Sequence, residues 1–137
     1  MSNRKSLVLR GVAECVTESE LDKLLSEKEN PRAYIGFEPS GLLHAGSLVP
    51  MLKCRNLVDA GFEVIVLLAD WHGYINDKLG GNWKNLKAGV EYQRQMFTAF
   101  APGVKFRTAS ELVSDCLLYT SDAADDSLRV DLGGRRI

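Results

Sequence analysis

The sequence has little that would suit a membrane protein or a secreted one. Its longest uninterrupted apolar run is Val64–Ala69, far short of the roughly 20 residues that cross a bilayer. The N-terminal residues are polar and basic, and they contain no apolar core of the kind found in secretory signals. We therefore expect a protein without a membrane segment, located in the cytoplasm.

The net charge is small and the cysteines are few. The net charge of the 137 residues is −1, so no overall basic field draws the chain to nucleic acid. The three cysteines, Cys15, Cys54 and Cys116, are scattered and lack the spacing of metal ligands. They are typical of reduced cytosolic thiols, and we expect no metal site built from protein ligands.

What the sequence does contain is a regular alternation of strand and helix patterns. Hydrophobic residues make up 45% of the chain and charged residues 26%, which is typical of a folded domain. Strands are predicted over Ala33–Phe37, Phe62–Ala69 and Val104–Phe106, the first two as buried strands. Helices are predicted over His44–Ala60 and Asn82–Phe100, and Thr17 with Glu20 matches a capping box for an earlier helix. This order predicts an α/β fold with a partial doubly wound parallel sheet.

The segment Phe37–Ser47 is the most informative part of the chain. It leads from the end of a strand through a Pro-Ser-Gly turn to the start of a helix, where His44 and Gly46 stand. The first turn of a helix has unpaired N–H groups and the positive end of the helix dipole, so it binds anions. His44 adds a hydrogen-bond donor, and the segment therefore indicates nucleotide chemistry.

A second polar segment, Asp70-Trp71-His72, follows the strand that ends at Ala69. Ligands of doubly wound sheets bind at the carboxyl ends of the strands, so we expect this segment to lie near the first.

These two strand ends resemble the catalytic domain of archaeal and eukaryotic-type tyrosyl-tRNA synthetases. Tyr34–Gly41 is similar to the first strand and turn of that family. His44-Ala45-Gly46-Ser47 stands at its HIGH signature, and Leu67–Asn76 resembles the strand and loop that follow. The similarity runs in register from about residue 5 to 115 and implies a Rossmann-like class I synthetase fold.

The resemblance implies that tyrosine and ATP, with Mg2+, form tyrosyl-adenylate, and that the tyrosyl group then passes to tRNA(Tyr). It implies catalytic roles for His44 and Ser47, although many relatives have a second histidine where this chain has Ser47. The implied ATP-binding residues are Gly36, Phe37, Pro39, Ser40, Gly41, His44, Gly46 and Ser47. The implied tyrosine-binding residues are Tyr34, Gly36, Glu38, Leu67, Ala69 and His72. The family also implies a homodimer.

Simpler interpretations stand beside these roles. By pattern alone Tyr34 could be a buried sheet aromatic, and His72 could be a solvated loop residue. Asp70 is expected to cap the next turn rather than act as a base. Two other functions remain open: a tryptophanyl-tRNA synthetase, and a non-catalytic, synthetase-like binding protein.

The composition changes at Cys116. Residues 116–125 and 130–137 resemble a translated sequencing adapter, with an index between them; the alternative is a genuine acidic C-terminus. We therefore expect residues 1–115 to be the N-terminal part of a synthetase catalytic domain and residues 116–137 to be an artefactual tail. Such a fragment lacks the KMSKS-like loop that the family implies, and we expect it to be inactive alone.

Overall fold

The computed structural model describes residues 2–114, so the predicted tail at 116–137 lies outside the described residues. The helices are α1 (Ser2–Leu9), α2 (Glu18–Glu27), α3 (Ala45–Asp59), α4 (Asp70–Ile75), α5 (Trp83–Phe100) and α6 (Ala109–Val113). The strands are β1 (Arg32–Phe37), β2 (Glu63–Leu68) and β3 (Lys105–Thr108), and a short 3-10 turn covers Lys78–Gly81. No helix among the described residues is both long and apolar enough to cross a membrane.

The three strands form one parallel sheet in the order β1-β2-β3, as the alternating pattern predicts. Tyr34 pairs with Ile65, and Gly36 pairs with Leu67. Leu67 in turn pairs with Arg107 of β3. Parallel pairing in this register brings all three carboxyl ends to one edge of the sheet.

The hydrophobic core lies between one face of this sheet and helices α3 and α5. The core residues of β2 are Val64, Val66 and Leu68, which alternate along the strand and are at most 1% exposed. Phe97 of α5 is fully buried and meets Phe37 edge-to-face, with 5.0 Å between ring centroids. This packing fixes the end of β1 against the C-terminal part of α5.

The prediction that β1 is a buried strand is wrong. Its residues alternate between exposed and half-buried, because α3 and α5 cover one face of the sheet and the opposite face is open within residues 2–114. Tyr34 projects from that open face and is 81% exposed. It is therefore not the buried sheet aromatic that its pattern alone allows.

The predicted capping box at Thr17 and Glu20 is also absent. Thr17 precedes α2, but its side chain makes no capping hydrogen bond. The same Thr-x-x-Glu pattern does form a capping box at Thr108 and Glu111, where the Thr108 side chain accepts from the Glu111 N–H at 3.2 Å. Thr108 is held in extended geometry as the last residue of β3, which suits an N-cap.

Candidate active site at the carboxyl ends of the strands

Pro39 anchors the turn between β1 and α3 in the interior of the protein. Pro39 is fully buried, and a Cβ atom placed on Gly73 of α4 or Gly89 of α5 would lie 3.1 or 3.3 Å from its ring. Gly41 has φ of +137°, a region that favours glycine. The turn thus takes one defined shape because two helices approach Pro39 closely.

His44 caps the N-terminus of α3. Its Nδ1 accepts a hydrogen bond from the Gly46 N–H at 3.1 Å, and the His44 N–H donates to Ser47 Oγ at 3.4 Å. Because Nδ1 accepts, the proton of the neutral ring lies on Nε2, which becomes the donor available to a ligand. A Cβ atom on Gly46 would lie 3.0 Å from the His44 ring, so glycine leaves room for this arrangement.

A cavity of about 340 Å³ opens above the turn and the start of α3. Six of the eight predicted ATP-binding residues line this cavity. The lining residues are Gly36, Phe37, Glu38, Ser40, Gly41, Leu42, Leu43, His44, Ser47 and Gln93. Pro39 and Gly46 do not line it; they shape the turn and the helix start instead.

Glu38 ties the turn to the segment after β2. Its Oε1 accepts a hydrogen bond from Asn76 Nδ2 at 2.6 Å, and its Oε2 lies 3.9 Å from Lys78 Nζ. Its backbone carbonyl accepts a hydrogen bond from Gln93 Nε2 at 2.9 Å. Three parts of the chain therefore fix Glu38 at the rim of the cavity.

A second cavity, of about 420 Å³, lies on the open face of the sheet. Tyr34 and Leu67, two predicted tyrosine-binding residues, line it together with Arg107 and Leu112. Gly36 lies on the same face, two residues after Tyr34, and a Cβ atom placed there would have no neighbour within 4 Å. The space above Gly36 is thus open to a ligand.

The end of β2 lies beside the end of β1, as predicted. The Ala69 N–H donates to the carbonyl of Phe37 at 2.8 Å, and Ala69 is 9% exposed. The predicted loop after Ala69 is wrong, because residues 70–75 form α4. His72 is exposed on this helix.

Asp70 is buried at the same edge and joins β2 to the start of α6. It accepts a hydrogen bond from the Trp71 N–H at 2.9 Å, but the N-cap of α4 is Ala69 and no side chain caps this helix, so the prediction that Asp70 caps the next turn is not confirmed. It also accepts from the backbone N–H of Ser110 at 2.9 Å.

Within residues 2–114, no group of three histidine, cysteine, aspartate or glutamate side chains could hold a metal ion. Mg2+ keeps several of its waters and commonly binds through substrate phosphates with one or two carboxylates. The donor set is compatible with Mg2+ that arrives on a nucleotide, with Glu38 as the carboxylate of the cavity lining.

Sequence reasoning missed Gln93, Arg107 and Leu112 as lining residues. A signal for Gln93 exists, because it takes a buried position on α5 between Val90 and Phe97, where the helical spacing calls for an apolar residue. Leu112 follows β3 in a short helix, and no pattern marks it.

The parallel three-strand sheet, with its cavity between a strand end and a helix N-terminus, is part of the Rossmann-like catalytic domain of class I synthetases. The sequence profile of the family described as tRNA synthetases class I (W and Y) matches residues 26–126. The chain belongs to this family.

Curated relatives include the tyrosine–tRNA ligases of Archaeoglobus fulgidus and Aeropyrum pernix. The first is 37% identical over 126 residues and the second 42% identical over 118 residues. These matches cover 85% and 84% of this chain but 38% and 32% of the relatives. The chain thus spans about a third of the length of the curated relatives it matches.

Solved structures agree in fold. The crystal structure of the Archaeoglobus fulgidus tyrosyl-tRNA synthetase complexed with L-tyrosine has a TM-score of 0.78 at 37% identity, covering 87% of this chain and 38% of that one. The Leishmania major tyrosyl-tRNA synthetase in complex with tyrosinol has a TM-score of 0.77 at 29% identity, covering 89% and 18%.

Proposed function

We propose that this chain carries the N-terminal half of the catalytic site of a tyrosine–tRNA ligase. The observation that carries the proposal is the combination of one cavity at the end of β1 with a second cavity on the open face of the same sheet. One holds the helix N-terminus with His44 and Ser47; the other holds the exposed Tyr34. The named relatives are tyrosine–tRNA ligases, and one neighbouring structure was solved with L-tyrosine.

In the proposed reaction, the carboxylate of tyrosine attacks the α-phosphorus of ATP and pyrophosphate leaves. A hydroxyl of the terminal ribose of tRNA(Tyr) then attacks the carbonyl of tyrosyl-adenylate, an ester forms, and AMP leaves. Mg2+ bound to the phosphates would neutralise charge on the leaving pyrophosphate. The protein contributes positioning and electrostatic stabilisation, since the reaction needs no covalent enzyme intermediate.

The chain's own residues supply this stabilisation at the start of α3. His44 Nε2–H and the Ser47 hydroxyl would donate hydrogen bonds to phosphate oxygens, aided by the helix N-terminus. The Ser47 oxygen already accepts from the His44 N–H, which leaves its own proton for a ligand. Serine carries no charge, so we expect a smaller contribution here than from a second histidine.

The tyrosine-binding part of the proposed site lies on the open face of the sheet. The Tyr34 hydroxyl would pair with the phenol of the substrate, Leu67 and Leu112 would pack against its ring, and Gly36 would leave space for it. A site built to pair a hydroxyl rejects phenylalanine, because its own polar group would be left unpaired. Glu38, Ala69 and His72 would border this pocket and its rim.

Tryptophan is the second candidate substrate, because the matching family includes both amino acids. A non-catalytic synthetase-like protein is the third candidate. We propose that the full-length protein also binds tRNA(Tyr), forms a homodimer and acts in the cytoplasm. Residues 1–115 would belong to the catalytic domain and residues 116–137 would be a tail foreign to it.

The test is amino-acid-dependent exchange of pyrophosphate into ATP by the full-length protein. Exchange that requires tyrosine supports the proposal. Exchange with tryptophan alone would assign the other member of the family. Absence of exchange with any amino acid, by a protein that binds tyrosine or ATP, would favour the non-catalytic alternative.

A further inference from the structure

Gln93 is a buried polar side chain that the proposed reaction has not used. It is 1% exposed and occupies the apolar stripe of α5, near Val90 and Phe97. A glutamine in such a place has lost its water and needs hydrogen-bond partners for both ends of its amide.

One end of the amide has a partner. Gln93 Nε2 donates to the Glu38 carbonyl at 2.9 Å. A carbonyl oxygen accepts and never donates, so this bond fixes which end of the amide faces the turn. Helix α5 thereby holds the first residue after β1.

The oxygen end of the Gln93 amide, Oε1, is buried and has no hydrogen-bond partner among the described residues. The same side chain lines the 340 Å³ cavity that His44 and Ser47 also line. The cavity lining therefore combines two side chains that can donate to phosphate, His44 and Ser47, with a buried amide whose oxygen lacks a donor.

An amide oxygen needs an N–H or O–H donor. Ionised phosphate and carboxylate groups offer none, whereas the ribose hydroxyls and the adenine amine of a nucleotide offer several. An acceptor beside a helix N-terminus is thus complementary to a ligand that joins an anion to a hydroxylated or aminated body.

We propose that Gln93 is a further residue of the nucleotide site, with two tasks. Its Nε2 positions the turn through the Glu38 carbonyl, and its Oε1 accepts a hydrogen bond from a hydroxyl or amine of the nucleoside. The nucleotide class of the ligand rests on the proposed function.

The chain offers an internal control, because Gln93 and Gln95 are the two glutamines in its sequence. Gln95 is exposed on the same helix, and its Nε2 donates to Glu91 Oε1 at 3.1 Å. Labelling the 137-residue chain with 15N-glutamine gives two side-chain amide signals. We expect AMP to shift the Gln93 signal and leave that of Gln95 in place.

Pyrophosphate and tyrosine are the comparison ligands, and neither is expected to shift Gln93 as AMP does. An unmoved Gln93 signal at saturating AMP would overturn the proposal. So would an equal shift with pyrophosphate, because the anion alone would then account for it. If tyrosine but not AMP shifted the Gln93 signal, Gln93 would belong to the amino-acid site, and the proposal would also be contradicted.

Kinetics of the full-length protein give a second readout. Gln93→Met keeps the shape of the side chain and removes both polar ends; Gln95→Met is the matched control. We expect the KM for ATP to rise about tenfold in Gln93→Met while the KM for tyrosine stays within about twofold. Equal rises in both, or a loss of Tm with both KM values unchanged, would reduce Gln93 to a packing residue.

These outcomes separate the proposal from the ligase function. Full-length protein that exchanges pyrophosphate with tyrosine, but is indifferent to Gln93→Met, keeps the ligase and removes Gln93. An AMP-specific shift of Gln93 in a protein that activates no amino acid keeps the nucleotide contact and removes the ligase.

Discussion

Asp70 and Ser110 join the ends of two neighbouring strands through hydrogen bonds. The Ser110 backbone N–H donates to Asp70 Oδ1 at 2.9 Å, and the Ser110 hydroxyl donates to Oδ2. Asp70 follows β2 and Ser110 lies in the first turn of α6, the helix that carries Leu112. One buried carboxylate thus holds the helix that forms a wall of the 420 Å³ cavity on the open sheet face.

Replacing Asp70 by Ala should therefore destabilise the chain by about 2–3 kcal/mol, because two backbone N–H groups lose a charged acceptor. Chemical denaturation of the 137-residue chain measures this. Asp59→Ala is the control, since Asp59 is exposed and its Oδ2 lies 3.9 Å from Arg55 Nε. We expect a loss within about 0.5 kcal/mol there. Equal losses of unfolding free energy in the two variants would show that the hydrogen bonds of Asp70 do not stabilise the fold more than an exposed carboxylate does.

Replacement of two glycines by alanine should affect stability to different extents. Gly73→Ala places a Cβ atom 3.0 Å from Leu86 Cδ2 and 3.1 Å from Pro39 Cγ, so it should cost about 1–3 kcal/mol of stability. Gly36→Ala meets no atom within 4 Å and should change stability by less than about 1 kcal/mol. Thermal or chemical melts of both variants test this.

The same Gly36→Ala change should harm the proposed reaction. A methyl group in the space above Gly36 would displace the substrate, and we expect the KM for tyrosine in the full-length protein to rise about tenfold or more. Unchanged tyrosine kinetics would mean that the ligand does not use this part of the open face.

The sequence predicts those parts of the fold in which the hydrophobic pattern extends over enough residues. Helix α5 and the apolar strand β2 have enough residues for periodicity to appear, and both form as predicted. The six residues of α4 are too few to show a helical period, so the sequence predicts a loop for the segment with His72.

The exposure of side chains and their hydrogen-bond partners were harder to predict, because both depend on residues that are distant in the sequence. The exposure of Tyr34 depends on which sheet face α3 and α5 cover. The capping patterns at Thr17 and Thr108 are alike in sequence, yet only Thr108 is held extended by a strand. Gln93 and Asp70 find their partners 55 and 40 residues away along the chain.

Glu63 should make stability depend on pH. Hydrogen bonds from Lys105 and Arg32, at 2.6 and 2.7 Å, lower the pKa of Glu63 from 4.5 to about 2. The folded pKa is depressed, so this stabilisation is present above pH 4.5 and is lost as the pH falls towards 2.

The measurement is the stability difference between the native chain and Glu63→Gln as a function of pH. It should be constant above about pH 5 and shrink below it. Glu27→Gln, which removes a carboxylate 3.9 Å from Lys23 Nζ, is the control for general charge effects. A difference that grows as the pH falls would contradict the assignment.

The central claim is that the turn after β1 and the start of α3 form the ATP half of an activating site. Pyrophosphate exchange by the full-length protein with His44→Ala and His44→Asn tests it most directly. Asparagine retains a side-chain cap for α3, whereas alanine removes it at a cost of about 1 kcal/mol. Both lack the His44 Nε2 donor, so both should exchange more than about tenfold more slowly, a loss of roughly 1.4 kcal/mol of transition-state binding. Native exchange rates in both folded variants would contradict the claim.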